Sequence, residues 1–346
     1  MKNKSLLNME LLKISRVFAS ECIPIVFAID DRFSFGLSVM IESIIENAKK
    51  ERCYDFIILH RNVSLEHQKV IIGMQDAHKN ICIRFFNVEK YSLRYAIFNT
   101  HVTKELYYRL LIPELLSEYE KVIYADGDMI ALTDIAELFQ IDMKDYLFAA
   151  VKDICGNWHY YEENSILKSY LDIEIELKGA ENYINAGLLI MNLKEIRKKY
   201  STEELWNLVD SRKWLHHDQD IINKMGEEKI YILPYEWNLV REYPALALQY
   251  MPKDEQNKWK QAFKEPKIIH FAGRNKPWKG LKVPGYPLFW KYALESPLVE
   301  EAVNTFDAQI CYKRTMEQIK LGDYRIGYII SELICWLKTF IKKKNS

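Results

Sequence analysis

The chain has no excess of either charge, no Cys-x-x-Cys pair, no internal repeat and no low-complexity segment. It also has no uncharged apolar stretch near the ~18 residues that a membrane-spanning helix requires. Each absence excludes something. Lys plus Arg equal Asp plus Glu at 48 each, so there is no basic excess to bind nucleic acid. The cysteines at 22, 53, 82, 155, 311 and 335 lack metal or redox spacing and read as reduced thiols of a cytosolic protein. Glu10, Lys13 and Arg16 interrupt the apolar stretch behind Lys2 and Lys4, which argues against an export signal. What is present is hydrophobic matter: 49% of 346 residues, ample for a packed core.

That matter is patterned as alternating strands and helices. Ile23–Ile29, Tyr54–Leu59 and Ile81–Phe86 are short apolar runs, and Phe35–Ala48 and Ser64–Ala77 between them have helical character. Such alternation predicts an α/β fold, a mainly parallel sheet with helices on both faces. A helix around Glu105–Leu116 leads into a further strand that ends before Asp126, and strand signals return at Leu147–Val151, Gly187–Met191, Ile230–Leu233 and Ile268–Phe271. Ser201-Thr-Glu-Glu204 reads as a capping box opening a helix to about Ser211, and Asp218 as the cap of another. The spacing supports one catalytic domain over residues 22–285 and a helical tail over 286–346. In the tail, Ile326, Ile329, Ile330, Leu333, Ile334, Leu337, Phe340 and Ile341 fall at helical spacing ahead of Lys342-Lys-Lys344. A basic amphipathic helix of this kind suits an anionic membrane surface, and equally a protein partner or its own domain.

Lys-Val-Ile-Tyr-Ala-Asp-Gly-Asp, residues 121–128, is an apolar run ending in two carboxylates. Ligands of α/β sheets gather at the carboxyl ends of strands, so Asp126 and Asp128 suit a divalent cation shared with phosphate oxygens. Asp-Gly-Asp is also ordinary turn chemistry. The first strand ends acidic too, at Asp30 and Asp31, where carboxylates can hold a nucleotide or simply form a turn and cap. Asn185-Ala-Gly187 places small residues where a ligand needs backbone approach, and His216-His-Asp-Gln-Asp220 gathers polar groups at a helix start. His270 at a strand end can complete an Asp, Asp, His donor set, a mixture better suited to Mn²⁺ than to Ca²⁺. In the same segment Gly273 permits close approach, and Lys276 can neutralise a diphosphate.

In this order, Asp126-Gly-Asp128, Asn185-Ala-Gly187, Asp218-Gln219-Asp220 and His270-x-x-Gly273-x-x-Lys276-Pro-Trp278 resemble the motifs of family 8 glycosyltransferases. The resemblance spans roughly residues 22–280 and implies a GT-A fold and a retaining, Mn²⁺-dependent, UDP-sugar-using transferase, with Mg²⁺ as the other candidate ion. It implies that Asp126, Asp128 and His270 hold the metal. Ala28, Asp30, Asp31 and Phe33 would surround uracil and ribose, with Gly127, Gly273 and Lys276 at the diphosphate. Arg109 in Tyr107-Tyr-Arg109 resembles the donor-binding arginine. Asn185, Ala186, Asp218 and Gln219 would contact the sugar, and Asp153 matches more loosely an acid near the reacting carbon. The chain departs from the pattern at Arg32-Phe33, where many bacterial members carry Asn-Tyr, which puts in question stacking on Phe33.

The expected reaction moves glucose or galactose from UDP to a lipid-linked or lipopolysaccharide-like glycan, at the cytoplasmic face of the cell membrane. Gln219, an amide, is a poor nucleophile, which favours front-side attack with Asp218 and Gln219 stabilising an oxocarbenium-like state. A self-glycosylating, glycogenin-like transferase and a non-catalytic UDP-sugar-binding protein are the alternatives. The sequence leaves self-association into a homo-oligomer open.

Overall fold

The computed structural model describes residues 12–18, 22–89, 104–162, 165–240, 245–279 and 283–304. Among the described residues there are ten strands: β1 Cys22–Ile29, β2 Cys53–His60, β3 Ile81–Asn87, β4 Lys121–Ala125, β5 Met129–Ala131, β6 Phe148–Lys152, β7 Ile184–Asn192, β8 Ile230–Leu233, β9 Leu239–Val240 and β10 Ile268–His270. Seven form one sheet in the order β3-β2-β1-β4-β7-β6-β8, and β5-β10-β9 form a small second sheet. In the large sheet β4–β7 and β6–β7 are antiparallel, and the other pairings are parallel. The expected α/β architecture is therefore present.

Strand order explains where a ligand can enter. From β1 the chain moves outward through β2 to β3, then returns to place β4 on the other side of β1. Connections leaving β1 and β4 diverge there, and a crevice opens beyond their carboxyl ends. The strands themselves are apolar on both faces, because one hydrophobic cluster lies on each side of the sheet. Val26, Ile57, Val122 and Tyr124 face one cluster, and Ile25, Phe27, Phe56 and Ile123 the other.

The first two expected helices run Ser34–Asn47 and Leu65–Gly73, the second capped by Ser64. The 201–204 capping box is observed with both of its hydrogen bonds, opening Thr202–Asp210. The expected helix at 105–116 is instead a 3-10 segment Lys104–Leu111 followed by one α-turn, Ile112–Leu115, with Pro113 in its first turn. Asp218 is not a cap. The helix spans His217–Gly226, His216 occupies the cap position, and Asp218 lies inside the first turn. A buried guanidinium, described below, takes the Asp218 carboxylate that a cap would have used.

After residue 285 the helix Tyr286–Ala293 packs into the body: Phe289, Trp290 and Tyr292 share a cluster with Val39, Ile130, Ile269 and Phe271. Residues 286–293 are thus part of the packed body. The amphipathic stretch 326–341 and Lys342–Lys344 lie outside the described residues. Among the described residues no helix is long and apolar enough to cross a membrane. Cys22, Cys53 and Cys82 are free thiols, as expected.

Candidate active site

Two antiparallel pairings bring distant motifs to one point. β7 runs against β4 with Leu188 opposite Ala125, so the start of β7 lies beside the end of β4, and the Asp126 N–H donates to the Gly187 carbonyl at 2.8 Å. β10 runs against β5 with His270 opposite Met129, and the Phe271 N–H donates to the Asp128 carbonyl at 2.9 Å. Asn185-Ala-Gly187 and His270 thereby meet Asp126-Gly-Asp128.

The result is a triad. One ligand atom from each of Asp126, Asp128 and His270 lies within 4.8 Å of the others. His270 Nε2 is 3.2 Å from Asp128 Oδ1 and 3.9 Å from Asp126 Oδ2. On the far side of the ring, His270 Nδ1 is 3.0 Å from Asn238 Oδ1. An amide oxygen accepts there, so Nδ1–H is the donor and Nε2 is the ring atom turned toward the carboxylates, where it would ligate a metal. Asn238 Nδ2 in turn donates to Asn185 Oδ1 at 2.9 Å, and that oxygen also accepts from the Gly187 N–H. Gly187 is here for space: a Cβ would sit 2.4 Å from His270 Cε1 and 2.9 Å from Asp126 Oδ2.

The triad fits a divalent cation. Two carboxylates and one imidazole are a hard, mixed donor set, and Asp128 Oδ1 is a buried oxygen with no hydrogen-bond partner. Burial alone would raise the Asp128 pKa, but His270 and Lys276 hold this carboxyl well below the usual carboxylate range. Lys276, only 5% exposed, donates from Nζ to Asp128 Oδ2 and to the Phe271 carbonyl.

Arg109 ties the remaining motifs together. Its guanidinium is 2.9 Å from Asp218 through Nε and 3.1 Å from Asp126 through Nη2, donates to the Ala186 carbonyl, and stacks on Tyr124 with its central carbon 4.3 Å from the ring centre. Tyr124 adds a hydroxyl donation to Asp126 Oδ1 at 2.7 Å. Burial pushes Asp218 up to about 6 although Arg109 pulls the other way, while Arg109 itself is raised by Asp218 despite its burial. The guanidinium thus remains charged.

Gln219 is fixed from both ends: its Oε1 accepts from the Ala186 N–H at 3.1 Å and its Nε2 donates to Asp153 Oδ2 at 2.8 Å. Asp220, fully buried, accepts from the hydroxyls of Tyr170 and Tyr183 at 2.6 Å each and from the His216 N–H at 2.7 Å, anchoring the helix start.

These groups line a cleft of about 500 Å³. Ala28, Asp30, Phe33, Arg109, Asp126, Gly127, Asp128, Asn185, Ala186, Asp218, Gln219, His270, Gly273 and Lys276 all reach it. Asp153 and Asp31 are not among the residues that line it. Asp153 stands behind Gln219, and the Asp31 carboxylate turns to the Ser64 N–H and His67 Nδ1, both at 2.8 Å. Phe33 is edge-on to Trp278 at 6.0 Å, with Lys276 Nζ 5.6 Å from its ring centre. Leu215, His216 and His217 also line the cleft, although by sequence the histidines read only as part of a polar helix start. Asn238, which orients His270, carried no motif at all.

A family model described as glycosyl transferase family 8 matches residues 24–282. General stress protein A of Bacillus subtilis (strain 168) is 27% identical over 268 residues, 75% of this chain and 88% of that protein. Lipopolysaccharide 1,2-glucosyltransferase of Escherichia coli (strain K12) is 23% identical over 330 residues, 94% and 93% of the two chains. Among solved structures, the apo bifunctional glycosyltransferase WbbM superposes with a TM-score of 0.77 at 28% identity, over 85% of this chain and 53% of that one. This chain therefore spans about half of WbbM. The galactosyltransferase LgtC in complex with donor and acceptor sugar analogues superposes with a TM-score of 0.64 at 22% identity, over 79% and 96%, a likeness of fold.

Proposed function

The chain belongs to glycosyl transferase family 8, and on that premise we propose that it moves glucose or galactose from a UDP-sugar to a glycan acceptor with retention of configuration. The observation that carries this reading is the meeting of Asp126, Asp128 and His270 at the mouth of the β1–β4 crevice, with Lys276 beside them. Bound there, Mn²⁺ or Mg²⁺ would supply Lewis-acid stabilisation of the leaving diphosphate. Lys276 contributes a second positive charge at the same edge, so departure of UDP needs no proton donor.

Ala28, Asp30 and Phe33 form the nucleoside end of the cleft, Gly127 and Gly273 flank the diphosphate, and Asn185, Ala186, Asp218 and Gln219 lie at the sugar end. Gln219 is the group under the reacting carbon. Its amide is held by Ala186 and Asp153 and offers no reactive lone pair comparable to a carboxylate. Attack therefore comes from the face that UDP leaves, and Asp153 acts by positioning Gln219. Gln219→Ala is expected to slow turnover by about 10²-fold, the scale of one lost polar contact to a transition state, while the product keeps its anomeric configuration by NMR. An inverted product would refute front-side delivery.

Asn238 supports the metal set. Asn238→Ala is expected to weaken Mn²⁺ binding by about 10- to 100-fold, as for other outer partners of a ligating histidine. Titration calorimetry with Mn²⁺ checks this, and an unchanged affinity would separate Asn238 from the metal.

Relatives named lipopolysaccharide 1,2-glucosyltransferase support a lipopolysaccharide-like or lipid-linked acceptor, and such acceptors place the enzyme in the cytoplasm at the inner face of the membrane. Residues 326–344 would hold it there. Because 286–293 pack into the body, the informative deletion is 305–346. It should abolish sedimentation with anionic vesicles and spare UDP-sugar hydrolysis; continued sedimentation would reject the anchor. Self-glycosylation is the alternative acceptor chemistry, and hexose additions to the chain itself in mass spectra would favour it.

A further inference from the structure

Glu105 is a carboxylate that none of the roles above uses. It lies in the 3-10 segment one turn ahead of Arg109, is 4% exposed and lines the same cleft as Ala28, Asp30 and Phe33. Both of its carboxylate oxygens are buried without a hydrogen-bond partner. Arg61 Nε stands 3.1 Å from Oε1 as an ion pair outside hydrogen-bond geometry, and the Arg32 charge adds a weaker pull in the same direction. Burial is the main reason its pKa is raised, and the Asp30 carboxylate adds to it. A buried carboxylate left this way is costly, and such groups in folded proteins ordinarily have partners.

The neighbouring acid is in the opposite condition. Asp30 receives the Arg32 backbone N–H at 2.9 Å, Arg32 Nε at 3.0 Å and Arg32 Nη2 at 2.5 Å, so its oxygens are already occupied. Arg32 is one of the two positions at which the chain departs from the family pattern. Both Asp30 oxygens thus already accept from Arg32, whereas the Glu105 oxygens accept no hydrogen bond among the described residues.

We propose that Glu105 accepts a hydrogen bond from the nucleoside half of the donor, either from a ribose hydroxyl or from the imide N–H of the base, and is a specificity-determining residue of this transferase. The inference rests on the UDP-sugar reading. Its oxygens are sealed from solvent in this state, so the side chain turns toward the cleft that it lines when the nucleoside arrives. A site that hydrogen-bonds a substrate O–H or N–H rejects the analogue lacking it, because the buried acceptor is then left unpaired.

The test measures Mn²⁺-dependent binding of UDP, 2′-deoxy-UDP, 3′-deoxy-UDP and CDP to the full chain and to Glu105→Gln and Glu105→Ala, by calorimetry, with thermal melting as the folding control. The unaltered protein should prefer UDP over one of these analogues by about 10- to 100-fold, and the analogue rejected identifies the group bound. Both variants should weaken UDP by a similar factor and lose that one preference while keeping the others. Unchanged UDP affinity in a folded variant, or analogue ratios identical to those of the unaltered protein, would overturn the role of Glu105 alone. Failure of UDP to bind the unaltered protein would overturn the donor reading, and this inference with it.

Discussion

Asp128→Asn is expected to lower sugar transfer by about 10³-fold at saturating Mn²⁺, the equivalent of about 4 kcal/mol of lost charge stabilisation, without unfolding the chain. Asp128 offers Oδ1 to the metal position and Oδ2 to Lys276, and it is buried between His270 and Lys276. Asparagine keeps the shape and one acceptor for Lys276, which also retains the Phe271 carbonyl, but it removes the negative charge that a cation needs. Initial rates of UDP release across a Mn²⁺ series, with circular dichroism on the same samples, check the prediction. Activity within tenfold of the unaltered enzyme would remove Asp128 from the metal set.

Arg109→Ala should be the more damaging change, because it acts on fold and site together. The guanidinium is 2% exposed and is shared by Asp126, Asp218 and the Ala186 carbonyl. Deleting it leaves the buried Asp218 and the partly buried Asp126 without their counter-charge, a loss of about 3–5 kcal/mol for the broken buried pair with Asp218. It also frees three motifs whose relative positions define the cleft. Chemical denaturation should show a reduced midpoint, and the folded fraction should lack transfer activity. Arg109→Lys is expected to restore part of the stability but little activity, since one ammonium cannot span the positions that the planar fork reaches. Full activity in Arg109→Ala would show that the clamp is dispensable.

The strand pattern was legible because the central strands β1, β2 and β4 are buried on both faces and read as continuous apolar runs bounded by polar turns, and the edge strands β3 and β8 keep short runs of the same kind. β1, β2, β3 and β8 appear within a residue or so of expectation. The site motifs were legible because each ends or begins such a run. Less visible was the direction of β7 and β10. A sequence period records which residues are buried, not whether a neighbour runs parallel, yet antiparallel pairing is what carries Gly187 and His270 to Asp126 and Asp128.

Other features escaped for the same kind of reason. β5 and β9 have three and two residues, too short for any period to register. Asp218 looked like a cap because aspartate before a helical run is the commonest cap signal, whereas Arg109, 109 positions earlier, claims it. Asn238 and Glu105 are single polar residues amid unremarkable neighbours, and what gives them a role is a partner or a vacancy defined only in three dimensions. The spatial packing of 286–293 against the body likewise depends on aromatic contacts, such as Phe35 with Phe289 and Trp290, that no linear boundary reveals.

A panel of UDP-sugars assayed for UDP release with Mn²⁺ and with a chelator decides whether this chain is the metal-dependent UDP-sugar transferase proposed above. UDP-glucose or UDP-galactose should be consumed with Mn²⁺ and spared when the ion is removed. No UDP release from any member of the panel at saturating Mn²⁺, or release undiminished by the chelator, would contradict it.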